Sequence, residues 1–255
     1  MSKLPASTGW AWLKQGAALF RKQPGGLTTL MFANILISIA FSAVPVVGPI
    51  LAVVLIPSLS MAFMQACLMI DNGQRVTPGV LLTGFRKPAV VTLCKLGLVY
   101  LAVSLLLALL ARFAIDQSFW EQITVQQPDP KKLAVDVSDV LAMFLIFVLD
   151  LAALISLAFA APLTYWEKMG PGKATFYSFF AVVKSARVFS VLLLAWFGLF
   201  FSVCMLVALV VGPVHIAQVI IMWLIFLFVL LLQCAIYVGY RQIFGKPVQP
   251  QGQPA

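Results

Sequence analysis

Six long apolar segments constrain this chain more than any other feature of its sequence. They lie near residues 27–44, 50–70, 89–111, 140–162, 188–210 and 215–238. A helix needs about 20 apolar residues to cross a hydrocarbon core roughly 30 Å thick. Only 10% of the 255 residues are charged, against about 25% in soluble domains. Because unpaired backbone groups are costly in lipid, the segments must be helices. We therefore predict an all-α integral membrane protein with a single six-span domain over residues 1–245.

The basic residues predict the direction of the spans. The net charge is +9, but Lys and Arg flank the apolar segments and form no stripe suited to nucleic acid. All but three of the 17 lie in the N-terminal segment, the second and fourth connections with the start of the third span, and the tail. The exceptions are Arg112, Lys131 and Lys132. Since Lys and Arg concentrate in cytoplasmic loops, we predict a bacterial inner-membrane protein with both termini in the cytoplasm and no nucleic-acid partner.

A short basic segment precedes each odd-numbered span. The first, Thr8–Lys22, places Trp10 and Trp12 on one half of a helix and its basic residues on the other. The second ends in Arg86 and Lys87, and the third covers residues 173–187. We predict three pseudo-repeats, each an interfacial amphipathic helix followed by a helical hairpin. An ordinary basic flank is the alternative for the second segment. The interfacial basic residues are Arg21, Lys22, Arg86, Lys87, Lys184 and Arg187.

Three stretches carry a resemblance to a known family. They are GWAWLKQGAALFRKQP at the start, VPVVGPILAVVLIPSLSMAF around the second span, and the closing YRQIFG. With them, the chain resembles an uncharacterised family of proteobacterial six-span inner-membrane proteins, over nearly its whole length. This resemblance implies a membrane fold and no particular activity. A distant likeness in topology links the chain to the membrane domain of some glycerophosphodiester phosphodiesterases, but the catalytic domain that accompanies it there is missing here.

Asp150 is the one acid inside a predicted span. It lies about ten residues into the fourth span, roughly 15 Å deep, where a carboxylate costs about 2.5–3.5 kcal/mol on insertion scales. Tyr100 and Ser104 in the third span are candidate hydrogen-bond partners, so these three residues form the predicted polar site. An intramembrane acid marks a proton relay or a substrate site by default. The alternative is a neutral Asp that bonds a neighbouring helix, worth about 0.6 kcal/mol.

The other polar and proline residues predict no catalytic centre. The four Cys residues form no CxxC pair and the single His is His215, so we expect no metal or other cofactor. Pro57 and Pro162 predict kinks in the second and fourth spans. The tail 246–255 is rich in Pro, Gln and Gly and is predicted to be a disordered cytoplasmic segment.

These observations favour a non-enzymatic membrane protein that interacts with membrane lipid or with a membrane-protein partner. A small transporter or lipid carrier that uses Asp150 in an intramembrane cavity is the alternative. The exposed small residue Gly198 suggests a face for homo-oligomer formation. An intramembrane enzyme would need several acids, His or Ser residues clustered within the spans.

Overall fold

The computed structural model describes residues 4–45, 47–115, 137–212 and 215–247, and all regular elements in these ranges are helical. The α-helices are α1 (Thr8–Lys22), α2 (Pro24–Ser42), α3 (Val47–Asp71), α4 (Ala89–Ala114), α5 (Val137–Leu157), α6 (Ala160–Tyr165), α7 (Pro171–Lys184), α8 (Ala186–Val211) and α9 (His215–Phe244), with a 3₁₀ helix (Pro78–Phe85) between α3 and α4.

Among the described residues, six helical segments are long and apolar enough to cross a membrane, so the predicted all-α fold with six spans is confirmed. They are α2, α3, α4, α5 together with α6, α8 and α9. The last contains 30 residues and is therefore about 45 Å long. It exceeds the hydrocarbon thickness of roughly 30 Å, so one of its ends must extend beyond the hydrocarbon.

Proline and glycine define several helix ends. Pro24 and Pro171 occupy the first turns of α2 and α7, where a residue without an N–H group leaves no helix bond unmade. After α8, Gly212 adopts φ of +78°, a backbone conformation that glycine reaches without steric cost. Pro57 lies within α3, which continues through it.

Packing is densest at one end of the bundle, which we call the terminal end because α1 and the close of α9 lie there. Its core contains the fully buried side chains of Trp12, Phe159, Tyr237 and Tyr240. Phe159 makes ring contacts with Phe189 and Tyr240 at centroid distances of 5.7 and 6.0 Å. Toward the other end, α8 exposes large apolar side chains. A face of this kind suits contact with lipid, in which apolar exposure carries no penalty.

The three short helices share one packing pattern. The 3₁₀ helix contacts α3, α7 contacts α5 and α6, and α1 contacts α8 and α9. Each therefore packs on the hairpin that precedes it when the three units are read as a ring. The helices differ in length and type, however, and the threefold repeat stays a prediction.

Two residues of the predicted disordered tail lie against the bundle. The Lys246 Nζ atom is 3.1 Å from a carboxylate oxygen of Asp71, and Pro247 is buried. Residues 248–255, which make up the rest of that prediction, lie outside the described residues.

Candidate functional site

The predicted polar site does not assemble as expected around Asp150. This residue is exposed on α5, and no described residue donates a hydrogen bond to its carboxylate. Tyr100 is buried, and its hydroxyl donates to the carbonyl oxygen of Leu157 at 2.8 Å. The reason is register: Leu157 is seven residues, or about 10 Å, farther along the chain than Asp150. Ser104 is exposed on α4.

Tyr100 instead supports a break in the fourth span. The helix α5 ends at Leu157 and α6 begins at Ala160, so the backbone groups at the break need partners from elsewhere. The Ser178 hydroxyl of α7 donates to the carbonyl of Ser156 at 2.6 Å and accepts from the Phe159 N–H at 3.1 Å. Side chains of α4 and α7 therefore hold this break together.

Pro162 was the predicted cause of a kink here, and the break lies a few residues before it, at 158–159. A proline at 162 has no N–H with which to bond the carbonyl of residue 158. The position of the break agrees with that missing bond, and Tyr100 and Ser178 bond neighbouring backbone groups at Ser156, Leu157 and Phe159. A kink was also predicted at Pro57 in the second span, and there the helix α3 continues without a break.

In the helix α7, the large apolar side chains are exposed and the small residues are buried. Its aromatic residues Phe176, Phe179 and Phe180 are 46–60% exposed, as is Val183 at 53%. The face that packs on α5 and α6 carries the small residues Ala174, Ser178 and Ala181, all buried. Large apolar side chains that are exposed suit contact with lipid.

An apolar groove of about 630 Å³ lies between α4, α5 and α7. Its walls and floor are formed largely by Val99 and Val103 of α4, Ala152, Ala153 and Ser156 of α5, and Gly172, Phe176 and Phe179 of α7. Sequence analysis missed this groove, because it depends on which faces of three separate helices meet. Asp150 is not among its lining residues.

The predicted interfacial basic residues all lie exposed: Arg21, Lys22, Arg86, Lys87, Lys184 and Arg187. Two more exposed lysines adjoin the groove. Lys95 is one turn before Val99 on α4, and Lys173 follows Gly172 on α7. The Lys173 Nζ atom is 5.8 Å from the ring centroid of Tyr177, a cation–π distance.

The helix α1 has the predicted bounds but a different environment from the one expected. Of the apolar half predicted to lie at the membrane interface, Trp12, Leu13 and Leu19 are buried, and α1 packs on α8 and α9. Trp10 is exposed, with the Lys14 Nζ atom 5.4 Å from its ring centroid. Lipid contact by α1 is therefore limited to its outer face.

Asp71, which sequence analysis did not single out, organises the ends of α1, α3 and α9. Its carboxylate is 2.7 Å from Arg241 Nη1 and accepts a hydrogen bond from the Tyr237 hydroxyl at 3.2 Å. Arg241 also donates to Gln15 of α1 at 3.1 Å. The signal in the sequence was an isolated acid at the end of a span that is otherwise flanked by basic residues.

The described residues bring two cysteines together in the core. The Sγ atoms of Cys67 and Cys234 are 3.6 Å apart, and both side chains are free thiols. Within the described ranges, no three His, Cys, Asp or Glu side chains are placed to hold a metal ion.

A curated relative identifies the group of proteins to which this fold belongs. A probable inner membrane protein of Burkholderia thailandensis is 32% identical over 266 aligned positions, which cover 99% of this chain and 96% of that protein. The chain belongs to this family. No family model and no solved structure matches the chain. The resemblance to proteobacterial inner-membrane proteins is thus confirmed. The name of this relative states no activity.

Membership of this family and the six apolar helices establish a multi-pass protein of the inner membrane. The exposed apolar faces of α5 and α8 are therefore surfaces for lipid or for other membrane helices. The groove between α4, α5 and α7 opens in the same environment.

Proposed function

We propose that this family member is a non-enzymatic protein that binds anionic lipid of the cytoplasmic leaflet through α7 and the basic residues near it. The observation that carries the proposal is the exposed face of Phe176, Phe179 and Phe180, whose ring contacts among the described residues lie within α7 itself. Aromatic and basic side chains on one short helix are typical of helices that lie in the membrane interface. Lys184 and Arg187 lie at its end, and each basic residue near an anionic surface adds about 1 kcal/mol.

The orientation that this proposal needs follows from the positive-inside rule. The terminal end holds the exposed basic residues of α1, α7 and the start of α8, whereas Arg112, Lys131 and Lys132 belong to the opposite side of the sequence topology. A cytoplasmic terminal end, with both termini inside, is the arrangement that this distribution favours. Cysteine labelling from each side of sealed vesicles, at Ser7 and at Lys131, tests it directly.

The composition of the spans supports the non-enzymatic part of the proposal. Asp150 is the one acid inside a predicted span and the single His is His215, whereas an intramembrane enzyme would need several such groups clustered together.

Lipid selectivity tests the proposal. A variant with its four native cysteines changed to Ala and Phe180 changed to Cys would carry an environment-sensitive fluorophore at position 180 alone. It would be placed in nanodiscs of phosphatidylcholine, with or without phosphatidylglycerol. We expect the fluorophore to be less accessible to a water-soluble quencher in the anionic discs. Combined Lys184→Gln and Arg187→Gln changes should remove most of that difference.

The matched control is Lys131→Gln with Lys132→Gln, which removes the same charge on the opposite side of the membrane. It should leave the quenching unchanged. Equal quenching in both lipids, or an equal effect of the two double variants, would refute anionic-lipid binding by α7.

A lipid carrier is the second candidate function, favoured by the exposed carboxylate of Asp150 in the middle of α5. Such an acid faces the membrane at a cost of about 2.5–3.5 kcal/mol unless a passing polar headgroup or a second protein covers it. If the protein is a carrier, reconstituted vesicles should move a fluorescent phospholipid between leaflets faster than protein-free vesicles. Asp150→Asn should then abolish the movement without reducing the amount of folded protein, whereas unchanged movement would exclude this role.

A further inference from the structure

The groove between α4, α5 and α7 has the dimensions of a ligand site. Its volume of about 630 Å³ lies within the range of roughly 300–1,000 Å³ that is usual for small-molecule pockets. Small residues line it, among them Ala152, Ala153 and Gly172, together with the aromatic residues Phe176 and Phe179. The lining is therefore mainly apolar, which suits a hydrocarbon chain.

The polar atoms in this groove are already occupied. The Ser156 hydroxyl donates to the carbonyl of Ala152 at 2.7 Å, and the Thr175 hydroxyl donates to the carbonyl of Pro171 at 2.8 Å. Both bonds lie within a single helix, so neither hydroxyl offers its proton to a ligand. The interior therefore favours hydrocarbon over a polar solute.

Charge distinguishes the two ends of the groove. At the terminal end, Lys95 lies one turn before Val99 on α4, and Lys173 lies between the lining residues Gly172 and Thr175. Both lysines are exposed. Toward the middle of the membrane, Asp150 lies three residues, or about 4.5 Å, beyond Ala153 on α5. A negatively charged group is thus attracted to the terminal end of the groove.

We propose that this groove binds one acyl chain of an anionic phospholipid, with the phosphate at Lys95 and Lys173. Basic pockets between transmembrane helices bind anionic headgroups in this way. The site rests on the proposed lipid binding by α7, and it adds a defined stoichiometry and a direction to it. The chain enters from the terminal end and its methyl end points toward Asp150.

Native mass spectrometry of the full chain in mild detergent measures the affinity of the protein for a phospholipid. The probes are phosphatidylglycerol and phosphatidylcholine with the same acyl chains. We expect one tightly bound phosphatidylglycerol and weaker binding of phosphatidylcholine. Because each lysine near a phosphate contributes about 1 kcal/mol, Lys95→Gln with Lys173→Gln should weaken the first binding step about thirtyfold. The control variant, Lys131→Gln with Lys132→Gln, should bind as the unchanged protein does.

Photocrosslinking locates the acyl chain. A phosphatidylglycerol that carries a diazirine on its acyl chain should label peptides of α4, α5 and α7, and excess unlabelled phosphatidylglycerol should prevent that labelling. The exposed face of α8 around Met205 and Leu206 serves as the control for non-specific contact with lipid. Excess unlabelled phosphatidylglycerol should not reduce the labelling of this face.

Two results would overturn the site. The first is labelling of the groove that is no stronger than the labelling of α8 and no more reduced by unlabelled lipid. The second is equal affinity for phosphatidylglycerol in the lysine variant and the unchanged protein. If the fluorophore at position 180 is still protected from the quencher in anionic discs, only lipid binding in the groove is refuted. If that protection is also absent, the proposed lipid binding by α7 is refuted as well.

Discussion

The helices α1 and α7 are similar in size and occur at corresponding places in the chain, yet they direct their large side chains oppositely. They contain 15 and 14 residues, and each precedes a long apolar helix. In α1, the large residue Trp12 is fully buried and contacts Phe189 at a centroid distance of 5.5 Å. In α7, Phe176, Phe179 and Phe180 are exposed. One helix directs its largest side chain into the bundle, and the other leaves its large side chains exposed.

Small residues, and not large ones, mark the packed face in both helices. Gly9 and Gly16 are buried in α1, and Ala174 and Ala181 are buried in α7. Both pairs are seven residues apart, which is two helical turns. In a membrane, helices associate by close approach at small residues, because apolar side chains are equally well solvated by lipid. An amphipathic pattern therefore does not by itself distinguish a lipid-facing helix from one that packs on protein.

Trp12→Ala should give the largest difference between the two helices. The side chain packs over Gly239 of α9 and donates a hydrogen bond to Gln242. Truncation of a buried Trp typically costs about 3–5 kcal/mol. Unfolding in detergent, followed by circular dichroism, should show this loss. Phe180→Ala on α7 is the matched change and should alter stability by less than about 0.5 kcal/mol. Equal losses would show that α7 is packed as firmly as α1.

Gly16→Ala should have the next largest effect. An added Cβ atom would lie 2.7 Å from the backbone nitrogen of Ala235 and 2.9 Å from its Cα atom, so α1 and α9 would have to separate. Overpacking of this kind costs about 1–3 kcal/mol, more than the gain of up to roughly 1 kcal/mol in helix propensity. Gly172→Ala on α7 meets nothing within 4 Å and should be neutral or slightly stabilising. A lower unfolding midpoint for Gly172→Ala than for Gly16→Ala would contradict the comparison.

Ser178→Ala tests the hydrogen bonds that join α7 to the break in the fourth span, and it should have the smallest effect. The change removes the hydrogen bonds to the Ser156 carbonyl and the Phe159 N–H, and a net loss of about 1 kcal/mol is typical. Hydrogen exchange should accelerate at Phe159 while α1 keeps its protection. Ser202→Ala removes only a bond to the carbonyl of Gly198 in the same helix and should change neither quantity. Faster exchange throughout α1 would mean that the two short helices are coupled.

The spans could be predicted from sequence because their cause is local. The segment 215–238 was predicted from its apolar residues, and the observed helix begins at the same residue, His215, and continues to Phe244. The extra turns carry Arg241, whose charge ends an apolar run although the helix continues. The segment 173–187 was predicted to be an interfacial amphipathic helix, and in the observed α7 the side chains of Phe176 and Phe179 are exposed.

The candidate site could be predicted only in part. Tyr100 was expected to bond Asp150, but its partner is a backbone carbonyl exposed by the break after Leu157. That carbonyl has no signature in sequence, because every residue carries one and only the interrupted helix makes it available. The pairing of Asp71 with Arg241 joins residues 170 positions apart, and no local pattern relates them.

Hydropathy along the chain determined that this protein has six helical spans, because the thickness of the bilayer and its demand for satisfied backbone groups act on each segment separately. The tertiary structure decided which short helix is buried, where the fourth span breaks, and that three helices enclose an apolar groove beside Lys95 and Lys173. These features depend on the close approach of helices at Gly16, Ala174 and Ser178. Such contacts join distant parts of the chain, so they exist only once the helices have packed.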